Sequence, residues 1–235
     1  EEMTTQNIAN TLWALATLER GAEDKVVAAV GDSATAKAQA FNCHELANTL
    51  WALAVMKGPE TDRHLLRALR GQAARKASQL TAADAAKTLW ALAKTELDDD
   101  VGAVKVLCRR AMEEVGAMNA QEVASTLWSL GAMGVDVEPS LLQALVWRTV
   151  EVADDLRPQG LANTLWAVAT LGLEADSRLV GALSRRGIAL AGHFKPQEVA
   201  NSLWALGVCG LSAPTHKLGL LALRLELLDV LCAQI

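Results

Sequence analysis

Tryptophan recurs at a nearly constant interval along this chain of 235 residues. Six of the seven tryptophans are separated by 38, 39, 38, 38 and 38 residues. They are Trp13, Trp51, Trp90, Trp128, Trp166 and Trp204. The residues around them are also similar, as in "QNIANTLWALATL" from Gln6 and "QGLANTLWAVATL" from Gln159. A period of this length predicts a tandem array in which each repeat packs on its neighbours.

Each of these tryptophans lies in a predicted helix, which we call helix A. In the first four repeats a capping residue stands nine positions before the tryptophan, and an amide or acidic residue stands six before it. The capping residues are Thr4, Asn42, Thr81 and Asn119. This spacing is typical of a capping box, whose side chains bond the free N–H groups at a helix start. Helix A should therefore begin eight residues before the tryptophan, a position held by Pro158 and Pro196 in the last two repeats.

Helix A should end about five residues after the tryptophan, because glycines suited to stop a helix recur one position later. They are Gly134, Gly172 and Gly210. The other three prolines, Pro59, Pro139 and Pro214, fall just after helix A and mark a turn. A second apolar-periodic segment follows, as in residues 140–156, and predicts a helix B.

These patterns predict an all-α fold, an α-solenoid of six tandem helix-turn-helix repeats. The approximate bounds are 4–41, 42–80, 81–118, 119–156, 157–194 and 195–235, and we expect one domain over 1–235. Solenoids usually end in polar caps, but this chain starts on a helix A and ends on the apolar "LELLDVLCAQI". We therefore expect either a piece of a longer chain or an end that packs on a partner.

Composition and motifs narrow the functional class. The net charge is −5 and the pI is about 5.4, which argues against nucleic-acid binding through a broad positive field. Neither a membrane-spanning segment nor a targeting peptide is visible. The four cysteines and four histidines lack metal-ligand spacing, and we expect reduced thiols and no metal or cofactor. Without a phosphate loop or a nucleophile motif, we expect a protein that is not an enzyme.

Three columns of helix A form a polar stripe outside the predicted core arc, which holds the Ile, Leu and Val columns and the small residues. These columns lie seven before, three before and four after the tryptophan, and amides dominate the first two. Amides both donate to and accept from base edges, so such a stripe is typical of helical repeats that read single-stranded RNA. The predicted base-facing residues are Gln6, Asn10, Thr17, His44, Asn48, Lys87, Lys94, Gln121, Ser125, Gln159, Asn163, Thr170, Gln197 and Asn201. An alternative for the Asn column, a ladder that satisfies backbone groups between repeats, stays open.

Helix B carries an arginine at one position of four consecutive repeats. These residues are Arg110, Arg148, Arg186 and Arg224. They are candidates for contacts with RNA phosphates. The favoured alternative is a packed stem with a head group paired inside the stack. For the periodic tryptophans, packing is likewise favoured over stacking on bases.

The segment "ANTLWALATL", the 38-residue period and the two-helix unit together resemble the octotricopeptide repeat family and the related heptatricopeptide repeats. The resemblance covers essentially the whole chain. It implies an organellar RNA-binding protein of the mitochondrial matrix or chloroplast stroma that acts in transcript stability, processing or translation, or within an organellar ribosome. Single-stranded RNA and a larger ribonucleoprotein assembly would be its partners, and the stripe would face the RNA. The acidic charge, together with Ala83 and Lys87 in the third repeat, departs from the amide pattern.

Armadillo repeats are the alternative. They contain similar "WAL" helices and use Trp and Asn arrays to hold extended peptides, but there the Asn follows the Trp and a third helix is usual. In this chain the Asn precedes the Trp by three residues. A peptide-binding scaffold or a structural subunit without RNA recognition is therefore the second hypothesis.

Overall fold

The computed structural model describes residues 2–19, 25–56, 63–95, 101–173, 176–211 and 229. Within them the fold is all-α, as predicted, with eleven α-helices and no strand. The A helices are α1 (Thr5–Thr17), α3 (Cys43–Met56), α5 (Ala82–Thr95), α7 (Ala120–Met133), α9 (Pro158–Thr170) and α11 (Pro196–Leu211). The B helices are α2 (Lys25–Ala36), α4 (Arg63–Arg75), α6 (Val101–Glu114), α8 (Pro139–Glu151) and α10 (Ser177–Ala189). The predicted second helix of the sixth repeat, with Arg224, lies outside the described residues.

All six A helices begin eight residues before their tryptophan, which confirms the prediction from the capping pattern. At α7, Asn119 Oδ1 accepts from the N–H of Glu122 at 3.0 Å, while Glu122 Oε2 accepts from the N–H of Asn119 at 2.9 Å. Thr4 and Asn7 form the same capping box at α1. Because these contacts satisfy N–H groups that have no partner within the helix, they fix where each helix starts.

Two of the three predicted glycine stops are present. Gly134 directly follows α7 and Gly172 lies two residues after the end of α9, and both adopt left-handed backbone angles, with φ of 59° and 60°. The prediction for Gly210 was wrong, since α11 continues through it to Leu211. Glycine makes the left-handed turn available without imposing it, so a helix can run past one.

Residues 1–114 form one compact unit. In it α1, α3 and α5 lie side by side as one layer, and α2, α4 and α6 form a second layer behind them. Each A helix also packs on the B helix of its own repeat. Ile8, Phe41, Leu46 and Leu69 are fully buried between the layers.

Residues 115–235 form the second compact unit. Here α7, α9 and α11 lie side by side, and α8 and α10 form the second layer. Met118, Leu145, Leu161 and Leu179 are fully buried. Within each unit the packing of neighbouring helices is that of an α-solenoid. The expectation of a single domain over the whole chain stays a prediction.

An A helix between two others is buried on three sides, which is more than the predicted core arc allowed. Thr164, two residues before its tryptophan, and Ala167, one residue after, are fully buried although both lay outside that arc. In α1, which has an A helix on one flank only, the matching Ala14 is exposed. These columns therefore belong to the contact with the preceding A helix. The residues left exposed are confined to a narrow strip.

Two chemical features of the described residues bear on function. None of the described helices is both long and apolar enough to cross a membrane.

Cys43 and Cys108 are free and partly buried. Burial raises the pKa of the Cys108 thiol to about 11, so it stays protonated near neutral pH.

Candidate nucleic-acid interface

In each unit the strip left open on the A helices consists of the same four columns, and we call these positions, in both units, the A-layer face. They are the tryptophans and the positions seven before, three before and four after them. Across six repeats this gives 24 positions, and none of the 24 is buried. Every residue of the predicted base-facing stripe lies on this face. None of them is buried, while their contact with RNA stays a prediction.

The amide columns differ in how open they are. All six residues seven before the tryptophan are exposed, including Gln121, Gln159 and Gln197. In the column three before it, Asn10 is exposed, whereas Asn48, Asn163 and Asn201 are half-buried beside the rings. In the last column Thr17 and Thr170 are exposed, and Thr17 Oγ1 donates to the carbonyl of Trp13 at 2.9 Å. No hydrogen bond joins Asn163 or Asn201 to another described residue, so their amides do not form a ladder between repeats.

The tryptophans lie at the rim of the core rather than inside it. Trp51, Trp90, Trp128 and Trp166 are half-buried, while Trp13 and Trp204 are 48% and 51% exposed. In the second unit the ring centroids of Trp128 and Trp166 are 6.2 Å apart, and those of Trp166 and Trp204 are 6.5 Å apart. The planes of the latter pair meet at 30°. Each of these rings therefore packs on a neighbouring ring and is still not fully buried.

Close helix contact holds this row of rings in place. A Cβ atom on Gly131 would lie 3.2 Å from the Trp166 ring, which is tighter than most real contacts. Glycine at this position lets α9 bring its tryptophan against α7. The row of rings thus depends on the small-residue columns that pack the A helices together.

The first unit gives its stripe residues a different environment. Lys87 Nζ donates to Asn48 Oδ1 at 2.6 Å, and Asn48 Nδ2 lies 2.9 Å from His44 Nε2. His44 Nδ1 lies 3.2 Å from Asp84 Oδ1. Lys94 Nζ stands over the Trp90 ring, 5.7 Å from its centroid, as in a cation–π contact. Polar and cationic groups thus replace free amides in repeats two and three.

The electrostatics of the A-layer face oppose those of the chain as a whole. Carboxylates outnumber Lys and Arg by 27 to 22, yet none of the 24 positions of this face is Asp or Glu. Its fixed charges are the ammonium groups of Lys87 and Lys94. A phosphate backbone can therefore approach this face without meeting a carboxylate on it, which meets the main objection raised by the net charge.

The arginine column of helix B has a structural contact in each described member. Arg110, Arg148 and Arg186 each donate through Nε to a main-chain carbonyl, those of Leu80, Met118 and Leu156, at 2.8 Å. Each acceptor precedes the start of an A helix. Two of the head groups also form salt bridges, Arg110 with Glu113 and Glu114, and Arg148 with Glu151. This geometry favours the structural alternative, and contact with phosphate stays a prediction.

Alignment of the repeats did not reveal two further basic side chains that bond a main-chain carbonyl before an A helix. Lys37 Nζ donates to the carbonyl of Met3 at 2.8 Å, and Lys76 Nζ donates to the carbonyl of Phe41. Lys37 lies in the first repeat and Lys76 in the second, where Ser33 and Gln72 stand at the position of the arginine column. They lie about one helical turn further along, so a comparison at one fixed position does not find them.

The described residues contain no cluster of His, Cys, Asp and Glu that could hold a metal ion. What the A-layer face offers is aromatic surface for stacking, amides for hydrogen bonds to base edges, and two ammonium groups. These are groups for binding a flexible, aromatic and polar ligand.

Comparison with known proteins adds a family resemblance to this geometry. No curated protein matches the chain. Residues 99–214, just under half of the chain, match the model of a family described as RNA-editing substrate-binding complex 6 protein. This match spans helices α6 to α11 and with them Trp128, Trp166 and Trp204. Over this stretch the chain is similar to a protein named for a complex that binds RNA-editing substrates.

Proposed function

We propose that this chain binds single-stranded RNA along its A-layer face and works as a non-catalytic subunit of an assembly that handles organellar RNA, including substrates of RNA editing. The observation that carries the proposal is an exposed strip of amides and indoles that is free of carboxylates in an acidic protein. An organelle is the proposed compartment, because the repeats resemble families that act on organellar transcripts.

Three features favour single strands over duplexes. The base edges and faces of a single strand are accessible to the amides and rings, whereas a duplex hides them. The exposed rings of Trp13 and Trp204 offer stacking surface that accepts any base. The low positive charge of the face would leave little affinity for a ligand recognised through phosphates alone.

The family match supports the same class of function. The description of the family names an RNA-editing substrate-binding complex, and the matched residues include the row of rings in the second unit. We therefore propose editing substrates as the RNA, and other subunits of such a complex as protein partners.

Binding measured by fluorescence anisotropy tests the proposal. Labelled single-stranded RNA, the matching duplex and single-stranded DNA are titrated with the protein across a range of salt concentrations. We expect saturable binding of the single strand and much weaker binding of the duplex. With two ammonium groups on the face, the slope of log K against log salt should be about −1.4 for a single strand. Equal affinity for the duplex, or the absence of saturable binding, would contradict the proposal.

A protein-binding scaffold is the second candidate, and one observation favours it. Trp147 on α8 is 55% exposed, on a helix that does not contribute to the A-layer face. Exposed indoles are common at the centres of protein interfaces. A stable partner that remains bound after nuclease treatment, together with no affinity for RNA, would favour this candidate instead.

A further inference from the structure

In the first unit three side chains of the A-layer face are joined in a chain of hydrogen bonds that ends on the buried Asp84, which is not part of the face. Lys87 bonds Asn48 at 2.6 Å, Asn48 bonds His44 at 2.9 Å, and His44 bonds Asp84 at 3.2 Å. The last member, Asp84, is 4% exposed and also accepts from Thr81 Oγ1 at 2.8 Å. The chain links repeats two and three from the buried edge of the face to its surface.

The chemistry of lysine fixes the direction of every bond in this chain. An ammonium group has only donors, so the Asn48 atom that it contacts is the amide oxygen. The amide nitrogen then faces His44 Nε2, which must accept the bond. His44 Nδ1 consequently carries the proton and donates to the Asp84 carboxylate.

Most of the groups left over at the surface are donors. Asn48 keeps one N–H, because its other N–H is bonded to His44, and Lys87 keeps two. One of the two lone pairs of the Asn48 oxygen is already engaged by the ammonium group. In the second unit, by contrast, Asn163 makes no hydrogen bond to another described residue, so its amide keeps both donor and acceptor.

We propose that Asn48 and Lys87 form a subsite that prefers guanine to adenine in the bound RNA. Guanine presents two adjacent acceptors, N7 and O6, on one edge, which matches a pair of donors. On the same edge adenine places an N6 donor beside N7, and this donor would meet the N–H groups of Asn48 and Lys87. The inference rests on the proposed function, since it assigns base specificity to one part of the RNA-binding face.

Selection from a randomised single-stranded RNA pool, followed by sequencing of the bound fraction, tests the inference. The wild-type protein should enrich one position for guanine, and replacement of that guanine by adenine in an isolated oligonucleotide should weaken binding by about tenfold. Lys87→Asn restores the amide of the column and should abolish this preference while the other enriched positions remain.

Asn163→Ala is the matched control, because it removes an amide from the same column of the second unit. It should alter the preference at a different position and leave the guanine preference intact. If wild-type protein binds RNA without a guanine preference, or if Lys87→Asn retains it, the inference is wrong and the proposed function stands. If wild-type protein enriches no RNA, the proposed function fails as well. Circular dichroism and thermal melting of each variant show that the fold is retained.

Discussion

Arg148 Nε donates a hydrogen bond to the main-chain carbonyl oxygen of Met118, 2.8 Å away. The bond ties helix B to the residue that precedes the cap of helix A in the same repeat. The same relationship joins Arg110 to Leu80 and Arg186 to Leu156. A basic side chain therefore satisfies a carbonyl at the entrance to each of these A helices, where the chain leaves one helix and has not yet begun the next.

Arg148→Ala should lower the free energy of unfolding by about 1.5–3 kcal/mol, the range for a hydrogen bond to a charged group. Met118 is fully buried, so its carbonyl would lose its partner without gaining water. Urea unfolding measures the change. Arg185→Ala is the control, because this exposed arginine on α10 lies next to Arg186 but outside the arginine column. Its free energy of unfolding should stay within about 0.5 kcal/mol of wild type.

The same pair of variants separates the two roles considered for these arginines. Affinity of folded Arg148→Ala for single-stranded RNA should equal that of wild type. A large loss of affinity with unchanged stability would instead assign Arg148 to phosphate contact.

Asn163→Ala combined with Asn201→Ala should weaken the binding of a cognate single strand without an early loss of structure. Both side chains are half-buried, but neither forms a hydrogen bond to another described residue, so their removal leaves no buried group without a partner. Anisotropy and thermal melting measure the two effects. Gln143→Ala removes an exposed amide from α8, away from the A-layer face, and should change neither quantity. Marked destabilisation of the double variant would show that the Asn column is structural.

Trp204→Ala and Trp166→Ala should affect stability and binding in different proportions. Trp166 packs between two other rings, so its loss should cost about 3 kcal/mol, the lower end for buried tryptophans. Trp204 is 51% exposed and packs on one ring, so its loss should cost clearly less in urea unfolding. Each variant should lose about 1–3 kcal/mol of RNA affinity if bases stack on the rings. Unchanged affinity in both would assign the tryptophans to packing alone.

The cap of α10 should make stability depend on pH in the acid range. Asp176 Oδ1 accepts from the N–H of Leu179 at 2.9 Å, and this bond lowers the pKa of the carboxyl from its ordinary value of 3.8, with a further contribution from Arg178. A lowered native pKa means that the stabilisation is present above the ordinary value and is lost as the pH falls through the native one. Asp176→Ala should cost about 0.5–2 kcal/mol at neutral pH. In urea unfolding that difference should shrink at strongly acid pH, and a constant difference would exclude the carboxylate as its source.

The sequence predicts the first residue of each A helix, because capping and period are local properties. Thr4 and Asn119 bond backbone groups three residues away, so the pattern that reveals each cap is also its cause. The predicted exposed stripe is likewise present. The predicted stop at Gly210 was wrong because a glycine at this position permits two outcomes, a stop or a continuing helix.

The sequence of a single helix A does not predict which residues on its flanks are buried. Thr164 and Ala167 are buried by the preceding A helix, a partner that a single apolar arc does not reveal. Recurrence of small residues in these columns is the available signal.

The contact of Lys76 was not predicted, because a long side chain can reach one carbonyl from different positions in the sequence. The chain of bonds from Asp84 to Lys87 depends on side chains of adjacent repeats and needs the packed structure.

Photo-crosslinking of single-stranded RNA to the native protein, with mass spectrometry of the linked peptides, tests the central claim most directly. We predict crosslinks on the A helices, at or beside the tryptophans and amides of the A-layer face, including Asn163 and Trp166. Crosslinks confined to the B helices, or none under conditions where a protein partner stays bound, would contradict the claim that this face binds RNA.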